Sequence, residues 1–215
     1  MDEEMKQYVL KTGTTTLGLV CKDGLVLAAD RRVTAGNYLA NKDFDKIYKI
    51  NDRMLATVAG SASDVQMLLK IIRAEANLKT YTTGRNVTVK EVANIIANLV
   101  FSNIRRYSVI PGVSQFVLGG MDDDGFHIFD IYPDGSVTEV KEYISSGSGS
   151  FMVYGVLETL YSKGMSVSDG VKLAVKALNS AIQRDTASGS GYDIYCITKE
   201  GIKQLMHKDL EIKVD

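Results

Sequence analysis

Three consecutive threonines at positions 14–16 form the segment of this chain best suited to chemistry. A threonine hydroxyl becomes a useful nucleophile only when a base takes its proton, and the α-amino group of an N-terminal threonine, with a free pKa of about 7.7 to 8.0, can be that base. In the translated chain the nitrogen of Thr14 is an amide. We therefore expect a precursor that stays inactive until the Gly13–Thr14 bond is cut. Taken alone, three threonines suit an ordinary edge strand better.

The chain has few of the residues that zinc sites, histidine-based triads and nucleotide-binding loops require. The chain has two histidines, His127 and His207, and two widely separated cysteines in apolar runs, Cys21 and Cys196. Two histidines and two cysteines, not clustered in the sequence, provide no obvious zinc site or histidine-based triad. The cysteines in apolar runs predict buried thiols in a reducing compartment. The glycines around position 147 lack the pattern of a nucleotide-binding loop, because Met152 stands where glycine is needed and no Gly-Lys-Ser/Thr follows.

Composition narrows the class of protein. The 215 residues are 45% hydrophobic, which favours one domain with a large core. A net charge of −1 gives no basic footprint for nucleic acid. Residues 1–13 carry three acidic residues and no long apolar run, so they do not resemble a signal peptide, and no stretch approaches the length of a membrane span. We expect a soluble, cytoplasmic protein without a membrane or nucleic-acid partner.

The order of the predicted elements indicates the fold class. Apolar and alternating runs predict strands at 14–20, 25–29, 46–50, 54–59, 115–121, 126–132, 136–140, 192–198 and 202–206. Apolar stripes predict helices capped by Ser63 and Thr88, the latter with Glu91 at capping-box spacing, and helices at 151–162 and 168–184. Blocks of strands that alternate with pairs of helices favour an α+β fold, with antiparallel sheets covered by helices. Neither a repeat nor a linker divides the chain.

Six short motifs and one lysine resemble those of proteasome β subunits, most closely the archaeal form, and the resemblance covers residues 13 to about 206. They are GTTTLG from Gly13, AADRRVT from Ala28, Lys46, TVAGSASD from Thr57, SSGSGS from Ser145, YGVLE from Tyr154 and QRDTASG from Gln183. The resemblance implies the N-terminal nucleophile hydrolase fold, a four-layer αββα sandwich of two antiparallel sheets between helix layers. It also implies an autocatalytically removed propeptide, residues 1–13, and a single threonine-peptidase domain, residues 14–215.

Site roles follow from the resemblance, position by position. Thr14 would be the nucleophile, Lys46 the cation that favours its deprotonation, and Asp30 the acid that holds this lysine charged. Gly60 would present a backbone N–H to the oxyanion. Ser148, Asp185 and Ser188 would surround and orient the amine of Thr14. Without the resemblance, Lys46 suits a surface lysine at a strand start and Asp30 a turn residue.

The resemblance also implies a pocket and partners. Val33, Phe44, Val58 and Ala62 would line an apolar pocket, which predicts cleavage after large apolar residues. Expected partners are proteasome α subunits, other β subunits in a seven-membered ring of a 28-subunit α7β7β7α7 stack, a regulatory ATPase complex bound through the α ring, and unfolded polypeptide substrates. A helix around residues 151–160 could supply contacts across rings, although apolar helices also pack inside monomers. The chemistry requires no metal or cofactor.

Three alternatives remain open at this stage. A non-catalytic ring subunit would share the fold, but it would lack the chemistry that intact Thr14, Lys46 and Asp30 favour. A self-processing amidase of the same fold would hydrolyse small amides and ignore peptides. A simple binding module, in which the threonines only begin a strand, would keep residues 1–13.

Overall fold

The computed structural model describes residues 13–35, 38–108 and 112–210. In these ranges the strands are β1 (Thr15–Cys21), β2 (Gly24–Asp30), β3 (Val33–Ala35), β4 (Tyr38–Asn41), β5 (Ile47–Asn51), β6 (Met54–Gly60), β7 (Ser114–Asp122), β8 (Gly125–Ile131), β9 (Val137–Val140), β10 (Tyr143–Gly147), β11 (Gly191–Thr198) and β12 (Gly201–Asp209). The helices are α1 (Ala62–Thr83), α2 (Val89–Arg105), α3 (Ser150–Leu160) and α4 (Val167–Arg184).

Two antiparallel five-stranded sheets make the centre of the fold. One has the strand order β10-β1-β2-β11-β12 and the other the order β5-β6-β7-β8-β9, while β3 and β4 form a separate hairpin. Leu25, Leu27 and Ile128 belong to the apolar cluster between the two sheets. The alternate residues Val26 and Ala28 join a second cluster with α3 and α4. A third cluster joins the other sheet to α1 and α2. The predicted α+β fold with four layers is therefore confirmed.

Helix starts follow local hydrogen bonding. The capping box predicted at α2 is present, since the Glu91 N–H donates to Thr88 Oγ1 over 3.2 Å and the Thr88 N–H donates to the Glu91 carboxylate over 2.9 Å. The prediction that Ser63 caps α1 is wrong. Ser61 is the N-cap residue, and the two serine hydroxyls bond each other at 3.0 Å instead of capping the backbone.

The sequence pattern did not predict three of the described strands: β3, β4 and β10. The first two are short, and β10 carries two serines where an apolar alternation would be expected. Those serines bond across to β1, because Ser145 Oγ donates to the Thr16 carbonyl over 2.8 Å and Ser146 Oγ lies 2.8 Å from Thr16 Oγ1. Side-chain hydrogen bonds thus replace apolar packing at this edge of the sheet. The pairing of Thr15 with Gly147 brings the residues after β10 to the start of β1.

Both cysteines are buried and free, as predicted. Burial raises the pKa of Cys21 to about 12, so this thiol is inert at neutral pH. Among the described residues, no helix is long and apolar enough to cross a membrane.

Candidate active site

The hydroxyl of Thr14 and the ammonium of Lys46 meet at one carbonyl group. Thr14 lies immediately before β1 and is 2% exposed. Its Oγ1 donates to the carbonyl oxygen of Gly13 over 2.8 Å, and Lys46 Nζ donates to the same oxygen over 3.2 Å. A hydroxyl group and a cation therefore both lie at the Gly13–Thr14 peptide bond, where the sequence predicts cleavage.

Asp30 organises this centre from the end of β2. Its Oδ1 accepts from Lys46 Nζ over 2.7 Å and from the N–H of Thr15 over 2.8 Å. Its Oδ2 accepts from the N–H groups of Gly189 and Arg32, over 2.9 Å and 3.1 Å. Four donors saturate the buried carboxylate, so both its position and that of the lysine are fixed.

Lys46 sits in an environment that disfavours its charge. Its side chain is 3% exposed. Burial lowers the pKa of the Lys46 ammonium from its ordinary value of 10.5, and the paired Asp30 carboxylate opposes part of that shift. The ion pair keeps a cation beside Thr14, while burial makes the proton easier to lose than on a surface lysine.

A chain of hydroxyl groups connects the nitrogen of Thr14 to Asp185. The Thr14 N–H donates to Ser148 Oγ over 3.3 Å, and Ser148 Oγ donates to Asp185 Oδ2 over 2.6 Å. Ser188 Oγ also donates to Asp185 Oδ2 over 2.6 Å and lies 2.6 Å from Thr15 Oγ1. Because the Ser188 proton points at Asp185, Thr15 is the donor in the last contact. Asp185 follows directly after α4, so this helix end fixes the network.

Gly60 and Gly13 both lie where a side chain would not fit. Gly60 ends β6 at φ 142°, and a Cβ there would lie 2.2 Å from the carbonyl oxygen of Val113. A Cβ on Gly13 would lie 1.7 Å from Cβ of Ala187. At both glycines the backbone therefore approaches a neighbouring chain segment at a distance that only glycine permits.

A small cavity opens beside Thr14. Its lining combines three of the candidate catalytic residues with all four residues proposed for the pocket, and it adds Val65: Thr14, Lys46, Gly60, Val33, Phe44, Val58, Ala62 and Val65. Val65 was not foreseen, because its place in the apolar stripe of α1 indicates a core residue. The cavity wall away from Thr14 and Lys46 is apolar.

Comparison with known proteins gives the family. The sequence pattern described as "Proteasome subunit" matches residues 10–197 of the chain. The chain belongs to the proteasome subunit family. It is 45% identical over 199 residues to "Proteasome subunit beta" of Ferroglobus placidus, with 93% of each chain covered. It is 44% identical to the protein of that name from Archaeoglobus fulgidus, over 93% of this chain and 92% of the relative. The corresponding protein of Methanocaldococcus vulcanius is 42% identical, over 92% and 87%.

In this proteasome family member, the structure adds contributors that sequence reasoning missed. Thr15 bonds Asp30 through its N–H and Ser188 through its hydroxyl, so it joins the two halves of the site. The Gly13 N–H donates to Thr34 Oγ1 over 3.4 Å, which holds the residue before the candidate nucleophile. The sequence signal for Thr15 is its place in the run of three threonines, and the motifs assign a role in that run to Thr14 alone. No group of three or more potential metal ligands occurs within the described ranges.

Proposed function

We propose that this chain is the catalytic β subunit of a 20S proteasome core, a threonine endopeptidase whose nucleophile is Thr14. The observation that carries the proposal is the meeting of the Thr14 hydroxyl and the Lys46 ammonium at the Gly13 carbonyl, with Asp30 bonded to the lysine. The relatives named "Proteasome subunit beta" support the same assignment. A non-catalytic ring subunit would have no need for this buried arrangement.

Self-cleavage is the first reaction that the arrangement supports. Thr14 Oγ1 attacks the carbonyl carbon of Gly13, and the charge that develops on the carbonyl oxygen lies next to the Lys46 ammonium. The C–N bond then breaks, the hydroxyl proton ends on the Thr14 nitrogen, and an ester links Gly13 to Thr14 Oγ1. Water hydrolyses this ester and releases residues 1–13 with a carboxylate. Because the Thr14 nitrogen is still an amide, an ordered water or another base must take the proton first.

Peptide cleavage uses the same oxygen after the amine is free. The amine of Thr14 accepts the hydroxyl proton as Oγ1 attacks a substrate carbonyl, and it returns the proton to the leaving amine. An ester forms on Thr14, and water releases it. Ser148, Asp185 and Ser188 orient the amine in this proposal, since Ser148 bonds the Thr14 nitrogen in the uncut chain. The N–H of Gly60 stabilises the oxyanion.

Substrate preference and assembly complete the proposal. The apolar wall formed by Val33, Phe44, Val58 and Ala62 favours a large apolar residue before the cut bond. Peptides that end in leucine or tyrosine should therefore be cut faster than peptides that end in arginine. We place the subunit in a seven-membered β ring of a cytoplasmic 28-subunit α7β7β7α7 particle, which receives unfolded chains through an α ring and its ATPase.

Intact mass spectrometry of the assembled particle tests the proposal. The chain is co-expressed with an α subunit of the same source, because an isolated subunit can remain unprocessed. We expect the wild-type chain to lose residues 1–13, and the Thr14→Ala chain to assemble and keep them. An assembled wild-type chain of full length would favour a structural subunit instead. A processed chain that hydrolyses small amides but no peptides would favour an amidase of the same fold.

A further inference from the structure

A buried arginine next to Asp30 connects the catalytic strand to the wall of the pocket. The side chain of Arg31 is 3% exposed, and its Nη2 pairs with the carboxylate of Asp43, which is 80% exposed. The carbonyl of Arg31 accepts the N–H of Phe44 over 3.2 Å. Arg31 therefore holds the connection between β4 and β5 through its backbone and its side chain, and Phe44 from this connection lines the cavity at Thr14.

The other side of the guanidinium is held by the neighbouring strands. Arg31 Nη1 donates to both carboxylate oxygens of Asp193 on β11 at 3.4 Å. Asp193 Oδ1 in turn accepts from Gln204 Nε2 over 3.1 Å and lies 2.7 Å from His207 Nδ1. The guanidinium is thus held in place by Asp193 on β11, which residues of β12 hold in turn, independently of Asp43. A fixed cation can hold a loop carboxylate in one place, whereas a surface arginine would move with it.

Lys46 does not depend on this contact. Its Nζ is bonded to Asp30, and its carbonyl accepts the N–H of Val58 over 3.1 Å at the start of β5. Loosening the connection at Asp43 should therefore displace Phe44 more than Lys46. Two residues of the segment 43–46 therefore have different roles. The ion pair of Asp43 affects the shape of the pocket, and the hydrogen bonds of Lys46 affect the bond-breaking step.

We propose that Arg31 and Asp43 are positioning residues for substrate selection, which act by holding Phe44 against the pocket. This inference rests on the proposed peptidase function. In this inference the ion pair supports the preference of the enzyme for substrates with a large apolar side chain before the cut bond, because only such side chains reach the wall that Phe44 forms. A substrate with alanine at that position does not use the wall and should be insensitive to the pair.

Asp43→Asn is the variant that tests the inference, since it removes one charge from an exposed residue and leaves Arg31 with Asp193. Removal of Arg31 itself would leave Asp193 buried without its cation and would endanger folding. Asp45→Asn is the matched control, because Asp45 is also exposed and belongs to the same connection, and Tyr48 bonds its backbone carbonyl and not its carboxylate. Asp43→Glu retains the charge and should restore the wild-type preference.

The measurement is the steady-state cleavage of fluorogenic peptides that end in tyrosine, leucine or alanine, by assembled and processed particles. For Asp43→Asn we expect KM for the tyrosine and leucine peptides to rise about two- to fivefold, the range of an exposed ion pair, with kcat nearly unchanged. The alanine peptide should show no change, and the Asp45→Asn particle should behave as wild type.

Three outcomes overturn the inference, and all of them differ from failure of the proposed function. Equal changes for all three peptides, or the same changes in Asp45→Asn, would show that the pair does not act through the pocket. A loss of kcat in Asp43→Asn, with KM unaffected, would place its influence on Lys46 instead. If the wild-type particle cuts none of the peptides, the peptidase proposal itself fails.

Discussion

At the scale of single residues, the centre is defined by one buried ion pair and the groups that it touches. Asp30 and Lys46 are 16 positions apart, and an exposed lysine at a strand start would have the same sequence signature. Asp30 and Lys46 meet because β2 ends and β5 begins beside Thr14, which local patterns do not specify. The motifs allowed the prediction of both residues, but they did not point to Thr15, which bonds Asp30 and Ser188.

Lys46 gives the proposed enzyme a characteristic pH dependence. The amine of Thr14 acts as base only when neutral, so kcat/KM should rise with pH through the pKa of this amine, whose ordinary value is about 7.7 to 8.0. Activity should fall again when Lys46 loses its proton. Because burial lowers the pKa of Lys46, this alkaline decline should begin below 10.5.

The check is a pH profile of kcat/KM for processed particles from about pH 5 to pH 11, with circular dichroism at each pH to verify that the particle stays folded. A profile that is flat on the alkaline side up to 10.5, in folded particles, would contradict the requirement for a charged Lys46.

At the scale of secondary-structure elements, local chemistry predicted some boundaries and failed at others. The start of α2 was predictable because the capping box is a local pattern of Thr88 and Glu91. In contrast, β10 was not predictable, since its pairing with β1 depends on Ser145 and Ser146 finding hydroxyl and carbonyl partners about 130 residues earlier in the chain. Such a strand can be predicted only when the strand that it pairs with is known.

The start of α2 also concentrates charge. Glu91 is 22% exposed, and its carboxylate accepts from Arg85 Nη2 over 2.7 Å and lies 3.1 Å from Lys79 Nζ, in addition to its bond with the Thr88 N–H. The hydrogen bonds from Arg85, and then the one from Thr88, hold the pKa of Glu91 well below its ordinary value of 4.5. A carboxyl group with a depressed folded-state pKa stabilises the fold above its unfolded pKa and loses this contribution as the pH falls.

Glu91→Ala should therefore lower the free energy of unfolding at pH 7 by about 1 to 2 kcal/mol, through the loss of the cap and the ion pairs. Glu91→Gln keeps the capping geometry and should cost about half as much. Chemical denaturation of the full-length Thr14→Ala chain, at pH 7 and at pH 3, measures both. The difference from the parent should shrink at the lower pH; a difference that is the same at both values would argue against an ionised Glu91 as its source.

At the scale of the whole molecule, α1 has two apolar faces. One of them, with Val65, Leu69, Ile72 and Ala76, packs on the second sheet. The opposite face presents an outward stripe at alternating spacings of four and three: Met67, Ile71, Ala74, Leu78 and Tyr81. Met67, Leu78 and Tyr81 are 60%, 58% and 91% exposed. A monomer gains nothing from such a stripe, whereas a subunit that packs against another helix would bury it.

We therefore predict that Leu78→Glu blocks assembly into the proposed particle without unfolding the chain, because the Leu78 side chain is 58% exposed. Gln66→Glu is the matched control, since it places the same charge on an exposed position of α1 outside the stripe. Size-exclusion chromatography with light scattering after co-expression measures the particle fraction, and circular dichroism verifies the fold of the unassembled chain. Normal particles from Leu78→Glu would show that this face is not a subunit contact, and the proposed particle would then have to assemble through other surfaces, such as the exposed Phe151 on α3.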